Sequence, residues 1–375
     1  MKDIKALLDT FGEIAGNPKA QLEKTLAAGK KAVGVLPAFC PEELVYAAGM
    51  LPFGIWGADR TVSESNRYFP AFYCSILHTA LELGIRGELN GLSAVLIPAC
   101  CDSLKGMVSN WKYAVPDIPF IHVSYAENRK LSAGITYTKS QYRKILGRLE
   151  EIAGCPVSDA DIRAAVLVYS ENRNALADFS RAAAKHPASV SPTRRCAVFK
   201  AGYFMDRQAH TALVRELTEA LNALPAEAWS GLRVVTTGIL SDAPGLLKIL
   251  EDNQIAVVAD QVLYESVTNG TWTRFTPDPM EGIAQRLGMI EGSSLLYDPE
   301  KQRGRSLVEL AKSTRADGVI WMMTKFCDPE EFDYVPVRQM LADAGIPLLT
   351  IETDRQMTDY GQARSAVEAF VERLS

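Results

Sequence analysis

Short apolar runs alternate with amphipathic stretches along almost the whole chain, and this alternation limits the fold more than any other feature. "KAVGVLPAF" reads as a strand, "PEELVYAAG" as a helix and "LPFGIWG" as a strand. Past the loop around Asn66, "FPAFYCSILHTALELGI" reads as a helix with Pro70 near its first turn, where a missing N–H is harmless. Then come a strand "SAVLIPA", a helix from "CDSLKGMVSNW" and a strand "IPFIHVSY". Two longer helices are expected over Lys139–Ala153 and Asp159–Lys185.

After the polar, breaker-rich stretch "HPASVSPTRR" (His186–Arg195) the pattern resumes with "RVVTTG", "GLLKILEDNQ", "IAVVAD", "GVIWMM", "EEFDYVPVRQMLADAG" and "IPLLTIET", closing on a helix over Gln362–Leu374. Apolar strands that alternate with amphipathic helices indicate parallel sheets covered on both faces. The expected fold class is α/β: two Rossmann-like parallel-sheet domains with helices on both faces, plus an N-terminal helical segment. The expected segments are 1–30 for that helical piece, 31–190 for the first α/β domain and 191–375 for the second, since 375 residues are ample for two domains.

The net charge of −5 supplies no basic footprint for nucleic acid or an anionic membrane surface. No apolar run reaches the roughly 20 residues that cross a bilayer. The opening "MKDIKALLDTFGEIAG" is an amphipathic helix without signal-peptide architecture, so a cytoplasmic protein is expected.

Seven cysteines in such a chain do not suggest a disulfide framework. They are buried hydrophobes, metal ligands or reactive groups. Two segments echo each other: "SAVLIPACCDSLKG…DIPFIHVSY" and "GVIWMMTKFCDPEEFD…GIPLLTIET" share the order strand, Cys-Asp, helix, Ile-Pro, strand. "VGVLPAFCPEEL…GMLPFGIWG" follows them in outline. Each places a cysteine at the carboxyl end of a strand, the edge where open α/β sheets build their sites. A helix amino terminus there favours thiolate, while Asp102 or Asp328 can cap the turn. The plainer account is a small apolar residue that finishes a strand.

Compact metal motifs are missing: there is no C-x-x-C, no H-E-x-x-H and no ferredoxin-type run. The phosphate loop G-x-x-x-x-G-K-[ST] is missing too, and "TTGILSDAPG" lacks G-x-G-x-x-G. His78 lies four residues after Cys74, at ligand spacing, but reads as a core or solvated histidine. Glu330, Glu331 and Asp333 read as a solvated first helical turn that complements the dipole.

Taken together, "CPEELVYAAGMLPFGIWG", "YFPAFYCSILHTALE", "VLIPACCDSLKG" and "MTKFCDPEEFDY" resemble the benzoyl-CoA reductase and 2-hydroxyacyl-CoA dehydratase family, most of all its dehydratase β subunits. The likeness runs from about Lys31 to the carboxyl terminus. It implies a heterodimer of two related α/β subunits, each holding a [4Fe-4S] cluster on three cysteines. Matched motif by motif, the ligands would be Cys74, Cys101 and Cys327, with Cys40 and Cys100 as rivals. Cys101 is preferred to Cys100 because the family's second motif is a cysteine followed directly by Asp. Cys155 and Cys196 fall outside any matching motif.

The resemblance also implies a reaction. Water leaves an (R)-2-hydroxyacyl-CoA bound at the subunit interface to give an (E)-2-enoyl-CoA, by way of a ketyl radical that makes the β proton acidic. A separate ATP-hydrolysing iron–sulfur activator supplies the electron, which suits a chain without a phosphate loop. The sequence departs from the family at Gln261, where a second acidic residue is common after Asp260, and at Val335, which separates Tyr334 from Pro336. Both positions bear on the subunit contact or the acyl pocket. Three other readings use the same features: a homodimeric reductase-type or double-cubane relative, a non-catalytic metal or thiol binding protein, and a plain two-domain binding protein.

Overall fold

Parallel pairing organises the chain into two four-stranded sheets of identical strand order. The computed structural model describes residues 3–36 and 38–374. Met1, Lys2, Pro37 and Ser375, which fall within the expected segments, lie outside these residues.

Helices α1 (Ile4–Gly16) and α2 (Pro18–Ala27) come first, and the Asp3 side chain caps α1 by accepting from Lys5 N. The first sheet follows: β1 (Ala32–Val35), α3 (Glu42–Ala47), β2 (Leu51–Gly54), α4 (Ser75–Ile85), β3 (Ala94–Pro98), α5 (Asp102–Ala114) and β4 (Phe120–Val123). Its order is β2-β1-β3-β4. Four helices lead onward: α6 (Ser132–Ala153), α7 (Asp159–Ala183), α8 (Pro192–Ala201) and α9 (Arg207–Asn222). The second sheet is β5 (Arg233–Gly238), α10 (Pro244–Asp252), β6 (Ala256–Val262), α11 (Pro279–Met289), α12 (Gln302–Ser313), β7 (Gly318–Thr324), α13 (Asp328–Asp343), β8 (Leu348–Thr353) and α14 (Gly361–Leu374). Its order is β6-β5-β7-β8.

Period-two alternation sorts the strand side chains onto two covered faces. Ala32, Val95 and Ile97 pack with Leu77, Leu81 and Trp111 of α4 and α5. Val33, Val35, Ala94 and Leu96 pack with Leu44, Tyr142 and Ile145 of α3 and α6. In the second sheet Val234, Ile320 and Met322 meet α10 and α14, while Val235, Val319 and Trp321 meet α12 and α13. The α/β class and the helical start expected from the sequence are therefore present. The buried stripe of α1 (Leu7, Leu8, Phe11) packs on α8 and α9, helices from far along the chain.

Two glycines at strand ends permit close approaches. Gly54 N donates to Tyr203 O at 2.9 Å, and a Cβ there would lie 2.7 Å from Tyr203 Cβ. Gly238 ends β5 at φ +144°, and a Cβ would meet Met322 O at 2.3 Å. The close pass of β5 along β7 delivers Ile239 to the cavity described below.

Candidate metal centre

In a parallel sheet the functional edge lies beyond the carboxyl ends, where the strand order reverses. Both sheets reverse there between their first and third strands, and each third strand leads into a cysteine. Cys101 is the N-cap of α5 after β3, and Cys327 is the N-cap of α13 after β7. The repeated Cys-Asp thus occupies topologically equivalent points of the two sheets.

Cys74 corrects the sequence reading. It does not sit inside a helix begun near Pro70. It is the N-cap of α4, which starts at Ser75, so all three residues occupy the same local position. The stretch before it is a turn held by Phe69, which stacks on Tyr73 at 4.6 Å and meets the His78 ring at 5.3 Å. His78 is buried, with Nδ1 3.2 Å from Ser65 Oγ and Nε2 3.1 Å from Pro70 O. Both ring nitrogens serve this turn, which is the core role expected of it.

Cys74, Cys101 and Cys327 line one cavity of about 260 Å³, together with Cys100, Ile239 and Leu295. Cys40 lies elsewhere, in a small cavity with Glu42, Glu43, Arg173 and Arg207, its Sγ 3.7 Å from Leu36 O. Cys196 is buried with its Sγ 2.8 Å from Tyr264 Oη, and Cys155 is exposed. A larger cleft of about 970 Å³ between α7, α9 and β6 contains no thiol.

Burial dominates the thiol electrostatics. It pushes Cys74 up to about 12, against the first-turn amides of Ile76 and Leu77, which favour its thiolate. Burial likewise raises Cys101, opposed by the amides of Leu104 and Ser103. Cys327 is held well above the usual thiol range by burial, then by Glu330 and Cys74. Without a cation these groups are neutral thiols; a bound metal would turn them into thiolate ligands. No group of three or more His, Cys, Asp or Glu among the described residues is gathered closely enough for a single ion. The thiols instead stand around a space, which fits a soft, multi-atom iron–sulfur group better than one cation.

The residues behind Cys327 overturn another expectation. Glu331 is exposed, but Glu330 is 0% and Asp333 only 7% exposed. Glu330 accepts from Trp321 Nε1 at 3.0 Å, Arg303 Nη2 at 3.1 Å and Thr324 N at 3.1 Å. Asp333 takes Lys301 Nζ at 2.8 Å. Only Glu331 behaves as a solvated dipole partner. The partners that bury Glu330 come from α12 and β7, so no local pattern announces them.

The two departures differ in setting. Gln261 is buried, donating to Arg303 O at 3.1 Å and Ser306 Oγ at 2.9 Å, so it faces the protein interior. Val335 is 71% exposed on α13. No helix among the described residues is long and apolar enough to cross a membrane.

Two parallel sheets of one topology, with thiols at helix N-caps around a shared cavity, define an α/β protein with a candidate thiol-lined site where the sheets meet. Comparison with known proteins makes this specific. The family model for the 2-hydroxyglutaryl-CoA dehydratase D-component matches residues 37–374. The chain is 45% identical to the (R)-phenyllactyl-CoA dehydratase beta subunit of Clostridium sporogenes over 375 residues, covering 100% of both. It is 37% identical to the (R)-2-hydroxyglutaryl-CoA dehydratase subunit beta of Acidaminococcus fermentans, covering 99% of this chain and 100% of the relative. It is also 37% identical to the lactoyl-CoA dehydratase subunit beta of Anaerotignum propionicum, covering 100% of both. The chain belongs to the benzoyl-CoA reductase and 2-hydroxyacyl-CoA dehydratase family, and is an enzyme subunit of the hydro-lyase class.

Proposed function

We propose that this chain is the β subunit of an oxygen-sensitive, cytoplasmic (R)-2-hydroxyacyl-CoA dehydratase, with Cys74, Cys101 and Cys327 as the ligands of a [4Fe-4S] cluster. The observation that carries the reading is the meeting of three N-cap cysteines from two sheets at one cavity, in a chain whose relatives are dehydratase β subunits. A bound cluster supplies one-electron chemistry, which ketyl-radical elimination of water to an (E)-2-enoyl-CoA requires. The chain's own residues hold and shield it. Ile239 and Leu295 give the cavity an apolar wall, and first-turn amides would offset part of the negative charge on the sulfurs.

A homologous α subunit completes the proposed enzyme. Phe332 is 80% exposed yet lines the cavity, Val335 stands one turn further along α13, and Phe72 just before Cys74 is also exposed. An apolar rim around a functional opening suits a protein contact. The acyl-CoA would bind at that contact, and an ATP-hydrolysing iron–sulfur activator would supply the electron. The division into residues 1–30, 31–190 and 191–375 belongs to the same reading, with Cys74 and Cys101 on the first α/β unit and Cys327 on the second.

Anaerobic co-expression with a homologous α subunit, followed by assay with activator, ATP and an (R)-2-hydroxyacyl-CoA, tests this. Enoyl-CoA formation that needs both subunits is expected, and Phe332→Glu should weaken co-purification. Failure of the two chains to associate, or full turnover without the α chain, would refute the heterodimer.

A further inference from the structure

One buried ion pair beside the thiol cavity has no part in the roles given above. Arg303, in the first turn of α12, has a side chain 2% exposed and donates to Glu330 Oε1. Its guanidinium lies 4.4 Å over the Trp321 ring and donates to Thr237 Oγ1 at 3.3 Å. Nη1 stands 3.5 Å from Asp333 Oδ2, and neither Nε nor Nη1 has a hydrogen-bond partner. For stability alone, well-packed apolar residues serve such a site equally well or better. A retained buried charge with spare donors therefore calls for a consequence specific to charge.

Glu330 supplies the connection to Cys327. Its carboxylate takes Thr324 N at the end of β7, and its own N–H donates to Cys327 O at 2.9 Å. It thus clasps both ends of the turn that presents Cys327. That turn needs holding, because Phe326 sits at φ +60°, in the left-handed region that non-glycine residues adopt at a cost.

We propose that Arg303, acting through Glu330, is a positioning residue that fixes the Cys327 turn and offsets the Glu330 charge behind this wall of the cavity. The proposal rests on the cluster reading above. The Glu330 carboxylate stands next to the Cys327 turn and opposes added negative charge there, and the Arg303 guanidinium paired with it offsets part of that effect. Glu330→Gln leaves only Asp333 facing Arg303, makes this wall more positive and favours the reduced, more negative form. Adding Arg303→Met to that variant removes the excess positive charge.

The test is an EPR-monitored redox titration of the anaerobically purified enzyme, following the signal that disappears in Cys327→Ser. Glu330→Gln should shift the midpoint potential positive, and Arg303→Met/Glu330→Gln should move it back toward the wild-type value. Arg303→Lys, which keeps the charge and loses the fork, should leave the potential unchanged while lowering the melting temperature. Glu330→Met removes the same charge and carries the test if Glu330→Gln does not fold. An unshifted potential in Glu330→Gln, a double variant displaced further than the single, or a shift in Arg303→Lys equal to that of Glu330→Gln would each overturn the proposal. Wild-type enzyme without iron would instead overturn the cluster reading and this proposal with it.

Discussion

The backbone amide of Arg355 donates to Ser75 Oγ at 3.0 Å, so the residue after Cys74 is held by the segment that leaves the last strand of the other sheet. The Arg355 side chain extends the tie. Nη2 donates to Trp56 O at 3.1 Å, and Nη1 pairs with Asp59 at 3.0 Å and Asp242 at 2.9 Å. Asp59 and Trp56 belong to the first sheet's side and Asp242 to the second, which makes Arg355 a joint between the halves of the cavity.

Arg355→Met should therefore destabilise the protein by about 3 kcal/mol, the usual cost of stranding one member of a buried pair. Burial pushes the Asp242 carboxyl up, but Arg355 and then Lys200 outweigh it and hold it well below the ordinary range. With Arg355 gone, Lys200 alone faces it, at 2.7 Å. Denaturant unfolding of the metal-free chain measures the loss; a change under 1 kcal/mol would mean that the two halves dock without this joint.

His210 predicts a pH dependence of stability. Burial, then the nearby Arg207 charge, lowers it to about 3. Its ring stays neutral by geometry as well: Asn172 Nδ2 lies 2.8 Å from Nδ1, and Nε2 lies 2.8 Å from Val198 O. The unfolded chain takes up a proton near pH 6.5 and the folded chain does not. Stability is thus full above that value and falls by about 1.4 kcal/mol per pH unit as pH drops toward 3. Urea melts at pH 6, 5 and 4 should approach that slope, reduced in His210→Gln; identical slopes in both proteins would contradict it.

The metal-free cavity thiols should be slow to alkylate. With Cys74 at about 12, roughly one molecule in ten thousand carries its thiolate at pH 8. Iodoacetamide followed by peptide mapping should label exposed Cys155 first, half-buried Cys74, Cys100 and Cys101 more slowly, and buried Cys40, Cys196 and Cys327 last. Labelling of Cys74 at the rate of Cys155 would mean that the cavity is open to solvent.

Much of this was legible in the sequence because strand and helix periods are local properties. The Cys-Asp at each third strand could be read from "ACCDS" and "KFCDP" alone. Cys74 was harder: Phe69, Tyr73 and Ile76 continue a helix-like apolar pattern, although the first two stack on each other in a turn. Burial of Glu330 was not legible at all. Three carboxylates in a first turn resemble a solvated face until Arg303 and the Trp321 indole, from other elements, close over one of them. That Cys40 lines a different cavity from Cys74, Cys101 and Cys327 was likewise hidden, because the chain turns at Ala38 and Phe39, both at positive φ, before reaching it.

Iron and sulfide analysis of anaerobically purified wild type and single Cys→Ser variants tests the central claim most directly. About four irons per copy of this chain are expected, lost in Cys74→Ser, Cys101→Ser and Cys327→Ser and kept in Cys40→Ser, Cys100→Ser and Cys155→Ser. Iron-free wild type under strict anaerobiosis, or full iron in Cys327→Ser, would contradict the account.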